Sequence, residues 1–325
     1  MDTRLKQLSQ WLTETLNYTL DDIQPASADA SFRRYFRAST NKGTFIIMDA
    51  PPDKEPINTF IRAATDLANY QVHTPSIHHI NQADGFLVLE DLGSVTYLDE
   101  LEKNVSVSKD TSTQPQEHAG KLYSDAIHAL IKIQNATVQQ KNAPWPDYND
   151  AKLIEEMDLF DRWYLQQHLS IEMSTAQSKV WQNLKTLLLN ACKEQPKKWV
   201  HRDYHSRNLM VTENNSPGVI DFQDMVYGPI SYDLASLFKD CYIRWPREHQ
   251  LNWLNQYYES TEVDFSFEQL VRWYDLTGLQ RHLKVLGIFC RLHYRDQKDQ
   301  YLNDLPMVAD YIICLLYTSP SPRDS

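Results

Sequence analysis

The segment 200–222 constrains this chain of 325 residues more than any other stretch. It contains the pattern His-x-Asp-x-x-x-x-Asn at His201, Asp203 and Asn208, followed by a short predicted hairpin and then Asp221. In this order Asp203 is placed to orient a hydroxyl group, and the oxygens of Asn208 and Asp221 suit a Mg²⁺ ion. Phosphoryl transfer depends on such positioning and on neutralising charge. The pattern therefore predicts a kinase-like enzyme that uses ATP and Mg²⁺, with His201 bracing the loop.

The order of strand and helix signals predicts an α+β fold with two unequal parts. Strand patterns at 31–38, 43–48 and 85–89 surround one helical pattern at 57–70. The remainder is predominantly helical, and the predicted helices lie at 119–133, 153–169, 180–192, 232–242, 265–274 and 279–294. We therefore expect a small β-rich N-terminal lobe at 1–92 and a larger helical C-terminal lobe at 93–315.

Two segments stand outside this regular pattern. Residues 103–117 are rich in Ser, Thr and Gln and contain Pro115, which predicts an exposed loop. Residues 316–325 follow a predicted helix at 308–315 and resemble the translation of a sequencing adapter. We interpret 316–325 as a non-native tail and leave it out of the fold prediction.

Charge and composition exclude several classes of protein. A net charge of -11 argues against a general nucleic-acid binder, which would present a basic surface. The four cysteines are widely spaced, as in a reduced intracellular chain. No apolar run approaches the length of a transmembrane helix, and the amphipathic pattern at 1–20 lacks the apolar centre of a signal peptide. We expect a cytoplasmic protein that acts on a small molecule, with its oligomeric state left open.

The catalytic pattern, together with Gly228-Pro229-Ile230-Ser231-Tyr232-Asp233-Leu234-Ala235, resembles the aminoglycoside/choline phosphotransferase family. That family has a two-lobed protein-kinase-like fold, and the resemblance covers nearly the whole chain. It implies that Asp203 is the catalytic residue and that Asn208 and Asp221 hold the metal. It also implies that Asp233 begins a helix and ties that helix to the catalytic loop.

Within that family, four segments resemble the bacterial anomeric kinases of N-acetylmuramate and N-acetylglucosamine. They are 29–37, 48–52, 221–224 and 278–289. The resemblance implies transfer of a phosphoryl group from ATP to the C1 hydroxyl of the free amino sugar, a step in the recycling of cell-wall sugars.

The nucleotide side departs from protein kinases. Residues 26–37 contain no glycine, and the strand at 43–48 carries no lysine to align ATP. Phosphate contacts are therefore assigned to Ser31, Arg33 and Arg34, although an ordinary hairpin with exposed arginines would look the same. The stretch Leu89, Glu90 and Asp91 resembles the connector that binds adenine through backbone groups.

On the acceptor side, Gln223 and Asp224 follow the metal-binding Asp221 directly, and we predict that they contact sugar hydroxyls. Arg281 lies in a basic late helix and is predicted to contact the acceptor through its charge. Two alternatives stay open. A choline, aminoglycoside or homoserine kinase would need an acidic or aromatic site for a cation, and a nucleotide-binding pseudokinase would explain the missing lysine.

Overall fold

The structure is a computed structural model that describes residues 2–27, 32–107, 114–136 and 145–318. Its strands are β1 (Leu20–Ser27), β2 (Arg34–Thr40), β3 (Gly43–Asp49), β4 (Ile77–Asn81), β5 (Phe86–Glu90), β6 (Lys197–Val200), β7 (Leu209–Met210), β8 (Gly218–Val219) and β9 (Val226–Pro229). Its helices are α1 (Thr3–Gln10), α2 (Asn58–Asn69), α3 (Tyr97–Val107), α4 (Gln114–Asn135), α5 (Asp150–Leu159), α6 (Thr175–Lys193), α7 (Tyr232–Phe238), α8 (Arg247–Glu259), α9 (Phe267–Tyr294) and α10 (Leu305–Thr318). Short π-helical segments, Trp11–Thr15 and Phe160–His168, continue α1 and α5.

The chain divides into two compact units. The first comprises Met1–Val95 and Met210–Asp224, and the second comprises Thr96–Leu209 and Met225–Ser325. The predicted division at residue 92 stays a prediction. The predicted second lobe, however, included the segment 210–224, which the structure groups with the first unit.

The first unit is built on an antiparallel sheet in the order β1-β2-β3-β5-β4. Along β2 the side chains alternate, so that Phe36 and Ala38 are buried while their neighbours are more exposed. The apolar face of α1 and its π-helical extension contribute Leu8, Trp11 and Leu12 to the same core. Burial of this face explains why the amphipathic N-terminal segment belongs to the fold.

The second unit is mainly helical and is organised around α9. This helix packs against α5, α6, α7 and α10. It was predicted as two helices, at 265–274 and 279–294, but it is continuous through Gly278. A glycine within a helix costs only about 1 kcal/mol relative to alanine. Close packing offsets that cost, because a β-carbon at Gly278 would lie 2.9 Å from the side chain of Lys239.

The prediction of an exposed loop at 103–117 was partly wrong. Helix α3 continues to Val107 and α4 begins at Gln114, so only 108–113 lie between them, and these are outside the described residues. Pro115 misled the prediction, since proline is tolerated in the first turn of a helix. At the other end, α10 runs to Thr318 rather than ending at residue 315.

Candidate active site

The catalytic loop follows β6 in the second unit and is held by a carboxylate from α7. The Asp233 carboxylate accepts hydrogen bonds from the backbone N–H groups of His201, at 2.6 Å, and Arg202, at 3.0 Å. Arg202 has a φ of 77°, a left-handed conformation that is uncommon for a residue with a side chain. The buried Asp233 therefore stabilises a strained turn and ties α7 to the catalytic loop, as the family resemblance implies.

The backbone carbonyl of Asp203 organises the rest of this loop. It accepts the N–H of His205 at 3.0 Å and the side-chain amide of Asn208 at 2.9 Å. Because the Asn208 amide nitrogen is the donor in that bond, its amide oxygen is the atom suited to a metal ion. Asp203 and Asn208, the predicted catalytic residue and one predicted metal ligand, are thus joined by a direct hydrogen bond.

The side chain of Asp203 lies among basic groups, of which Lys284, Arg202 and Arg281 are cationic, while burial lowers the pKa of His205. Burial alone would raise the pKa of its carboxyl group, but nearby Lys284, His205, Arg202 and Arg281 outweigh that effect and lower the pKa to about 2. Asp203 is therefore ionised at neutral pH. An ionised carboxylate at this position is able to accept a hydrogen bond from a hydroxyl group and orient it.

A second carboxylate, Glu156 of α5, balances two of these cations. It accepts a hydrogen bond from Arg202 at 2.7 Å and lies 3.4 Å from the ammonium of Lys284. The hydroxyl of Tyr148 also donates to Glu156, and Lys284 donates to the hydroxyl of Tyr232 at 3.1 Å. Sequence reasoning missed Glu156. The available signal was an acidic residue on the buried face of a helix, which requires a partner.

Arg281 differs from these neighbours because its charge is not matched by a contact. Its side chain is 2% exposed, and its Nη1 is buried without a hydrogen-bond partner. Within the described part of the chain, no hydrogen bond or ion pair to its guanidinium is found. The carboxylates of Asp203 and Asp240 interact electrostatically with the Arg281 guanidinium. The Asp240 carboxylate also accepts the backbone N–H of Ser206 at 2.8 Å.

The other predicted metal ligand, Asp221, belongs to the first unit and follows β8. Its backbone φ is 64°. The amide nitrogen of Gln223 donates to the Asp221 carboxylate at 2.7 Å, and Gln223 is 5% exposed. Gln223 is therefore placed to orient Asp221, and its predicted contact with a sugar hydroxyl stays a prediction. Asp224, the next residue, is exposed.

The arginines assigned to phosphate are already paired with carboxylates. Arg33 forms an ion pair with Glu55 at 2.8 Å, and Arg34 donates to the fully buried Asp49 at 3.0 Å. These pairs stabilise the sheet unit, and the predicted contacts of Arg33 and Arg34 with ATP phosphates stay predictions. Ser31 lies outside the described residues.

The predicted adenine-binding stretch forms the end of β5, where Leu89 is buried. The Glu90 side chain accepts a hydrogen bond from the hydroxyl of Ser76 at 2.8 Å, and its backbone N–H donates to the Ser76 carbonyl at 2.9 Å. The Asp91 carboxylate pairs with Arg37, whose Nε lies at 2.7 Å. Both acidic side chains and the Glu90 backbone N–H are therefore engaged within the unit, and contact of this stretch with adenine through other backbone groups stays a prediction.

In the part of the chain that the structure describes, no helix is both long enough and apolar enough to cross a bilayer.

Known proteins resemble this chain over most of its length. The model of the phosphotransferase enzyme family (APH) matches residues 22–270. The chain belongs to this family. It is 42% identical to the N-acetylmuramate/N-acetylglucosamine kinase of Pseudomonas putida, over 96% of this chain and 91% of that protein. It is 37% identical to the protein of the same name from Neisseria meningitidis serogroup B, over 94% of this chain and 89% of the relative.

Solved structures agree on the fold. A choline/ethanolamine kinase family protein from Mesorhizobium loti has a TM-score of 0.65 at 13% identity, covering 98% of this chain and 96% of that one. The ADP-bound aminoglycoside phosphotransferase APH(2'')-Ib has a TM-score of 0.64 at 14% identity, covering 97% and 99%. The predicted protein-kinase-like fold, with a small sheet unit and a larger helical unit, is confirmed.

Proposed function

We propose that this chain is an ATP-dependent kinase that phosphorylates the C1 hydroxyl of N-acetylmuramate and N-acetylglucosamine. The observation that carries the substrate assignment is the identity of 37% to 42%, over nearly the whole chain, to relatives named for these two sugars. The chemistry rests on the catalytic loop, in which Asp203 is held ionised and its backbone is fixed by Asn208.

In this proposal Asp203 orients the acceptor hydroxyl and accepts its proton as the reaction proceeds. The hydroxyl oxygen forms a bond to the γ-phosphorus of ATP, and the bond from that phosphorus to the ADP oxygen breaks. A carboxylate with a pKa of about 2 is a weak base. That suffices, because the transition state of phosphoryl transfer is loose and needs a positioned nucleophile more than a strong base.

The metal ligands in this proposal are Asn208 and Asp221. Their donor atoms are an amide oxygen and a carboxylate, the hard oxygen donors that Mg²⁺ prefers, so the residues present fit the ion. Hydrogen bonds fix both side chains, from Asn208 to the Asp203 carbonyl and from Gln223 to Asp221. When bound, Mg²⁺ neutralises charge on the transferred phosphoryl group.

The alternative acceptors fit less well. Choline and aminoglycosides are cationic, whereas Asp203 is surrounded by Lys284, Arg202 and Arg281. A pseudokinase would not need Asp203, Asn208 and Asp221 together. Exposed Asp224 is retained as a candidate contact to the acceptor, and the backbone of Leu89–Asp91 as the candidate adenine site.

The test is ADP release with ATP and Mg²⁺ over a panel of acceptors: N-acetylmuramate, N-acetylglucosamine, choline, an aminoglycoside and a blank. We expect turnover with the two amino sugars that exceeds turnover with the cationic acceptors at least tenfold in kcat/KM. Faster turnover of choline or the aminoglycoside contradicts the proposal. Nucleotide binding without turnover of any acceptor supports the pseudokinase.

A further inference from the structure

Arg281 is the buried cation near Asp203 whose charge the described contacts do not neutralise. Lys284, three residues further along α9, shares Glu156 with Arg202. Arg281 is as buried as Lys284, with exposed fractions of 2% and 5%, yet its Nη1 has no partner. Burying an unpaired polar group is costly, and burying an unpaired charge costs more.

The two carboxylates that interact electrostatically with Arg281 are those of Asp240 and Asp203, and each has another role. Asp240 accepts the backbone N–H groups of Ser206, at 2.8 Å, and Tyr242, at 2.9 Å. Asp203 is the residue assigned to the acceptor hydroxyl. A guanidinium that is buried, unpaired and close to the catalytic carboxylate is suited to an anionic group supplied by a ligand, because it presents paired donors to a carboxylate or a phosphate.

The two proposed acceptors differ by one such group. N-acetylmuramate carries a lactyl ether on O3 with a free carboxylate, and N-acetylglucosamine has a hydroxyl there. Resting on the proposed function, we propose that Arg281 binds the lactyl carboxylate of N-acetylmuramate and so sets the preference between the two sugars. The transferred phosphoryl group is the competing anion, but it is common to both reactions and gives no preference.

The direct test compares Arg281→Gln with the wild-type chain on both sugars. We expect kcat/KM for N-acetylmuramate to fall about 10- to 100-fold relative to kcat/KM for N-acetylglucosamine, the range for losing hydrogen bonds to a charged group. The change should appear mainly in KM for N-acetylmuramate. Arg281→Lys, which keeps the charge but not the paired donors, should retain part of the preference.

The matched control is Arg272→Gln on the same helix, where an exposed arginine pairs with Glu194. It should leave the ratio of the two kcat/KM values unchanged. Thermal melting and ADP binding of each variant show whether it is folded. Equal losses on both sugars would mean that Arg281 serves the phosphoryl group or the fold, and would overturn the inference.

A second arm changes the ligand and needs no variant. The carboxamide of N-acetylmuramate keeps the bulk of the lactyl group but removes its charge, so its KM with the wild-type chain should rise about 10-fold or more. Equal KM values for acid and amide would overturn the inference even if Arg281→Gln does not fold. A wild-type chain that phosphorylates neither sugar overturns the proposed function, and this inference with it.

Discussion

The carboxylate of Asp233 accepts the backbone N–H of Arg202 at 3.0 Å, at the point where the catalytic loop adopts a left-handed φ of 77°. Asp233, a buried residue of α7, thereby stabilises the turn that precedes Asp203. The strain in this turn is compensated by a carboxylate 31 residues further along the chain.

Replacing Asp233 should therefore damage both stability and activity. Asp233→Asn places an N–H₂ group against a backbone N–H and should cost about 2 kcal/mol or more in the free energy of unfolding. Turnover should fall even at temperatures where the variant is folded, because the loop loses its support. Chemical unfolding and kcat measure the two effects.

The matched control for Asp233 is Asn149→Ala. Asn149 caps α5 by accepting the N–H of Lys152 at 2.9 Å and does not support the loop. Loss of such a cap costs about 1 kcal/mol, and kcat should be unchanged. If Asp233→Asn lowers stability as this control does but leaves kcat intact, the bracing role is wrong.

Glu156→Gln should destabilise the chain by about 3–5 kcal/mol at neutral pH, because it leaves Arg202 and Lys284 without their shared counter-ion. Burial would raise the pKa of Glu156, but Lys284 and Arg202 outweigh it, so the pKa is lowered from its ordinary 4.5. Its stabilising contribution is then full above pH 4.5 and is lost as the pH falls through the folded-state pKa.

The measurement is the free energy of unfolding of the wild-type chain and Glu156→Gln from pH 7 to pH 3. The difference between them should shrink below about pH 4.5. Glu155→Gln is the control, since Glu155 is 62% exposed and pairs with Lys152 at the surface. It should change stability by less than about 1 kcal/mol. A difference for Glu156→Gln that stays constant with pH would contradict the charge assignment.

Gln223→Ala should weaken the response to Mg²⁺, because Gln223 orients Asp221 through a 2.7 Å hydrogen bond. We expect the Mg²⁺ concentration for half-maximal turnover to rise about 3- to 10-fold, as for a lost hydrogen bond of 0.5–1.5 kcal/mol. Glu213→Gln, at an exposed position in the same segment, is the control. An unchanged Mg²⁺ dependence would contradict this orienting role and leave contact with the acceptor as the prediction for Gln223.

Gly287→Ala should destabilise the helical unit, since a β-carbon there would lie 2.3 Å from the carbonyl carbon of Leu159. Such overpacking costs about 1–3 kcal/mol or more. Gly120→Ala in α4 is the opposite case, with no atom within 4 Å of the added carbon. It should stabilise the chain by about 0.5–1 kcal/mol. Thermal melting measures the stability of both variants. Equal changes in stability would contradict the close approach of α5 and α9.

The catalytic loop could be predicted because its chemistry lies close together in sequence. Asp203 and Asn208 are five residues apart, and the pattern that joins them to His201 and Asp221 indicated a common site. The helix–strand order likewise indicated the sheet unit and the helical unit. Short-range patterns of this kind depend on local backbone geometry, which residues close together in the sequence determine.

What sequence could not supply was the pairing of charges. The ion-pair partners of Arg33 and Arg34, which are Glu55 and Asp49, could not be recognised as partners from sequence. Glu156 was missed for the same reason, since its partner Arg202 is 46 residues away. Long-range ion pairs depend on how the helices and strands pack together, and local sequence patterns do not specify that packing.

The central claim is that the acceptor is the anomeric hydroxyl, and ³¹P NMR of the product tests it most directly. With N-acetylglucosamine, ATP and Mg²⁺, we predict a new phosphomonoester resonance coupled to H1 of the sugar. The resonance should be absent with the 1-deoxy sugar, and Asp203→Asn should form it about 10²–10⁴-fold more slowly. A resonance coupled to another sugar proton, or phosphorylation of the 1-deoxy sugar at the same rate, would contradict the account.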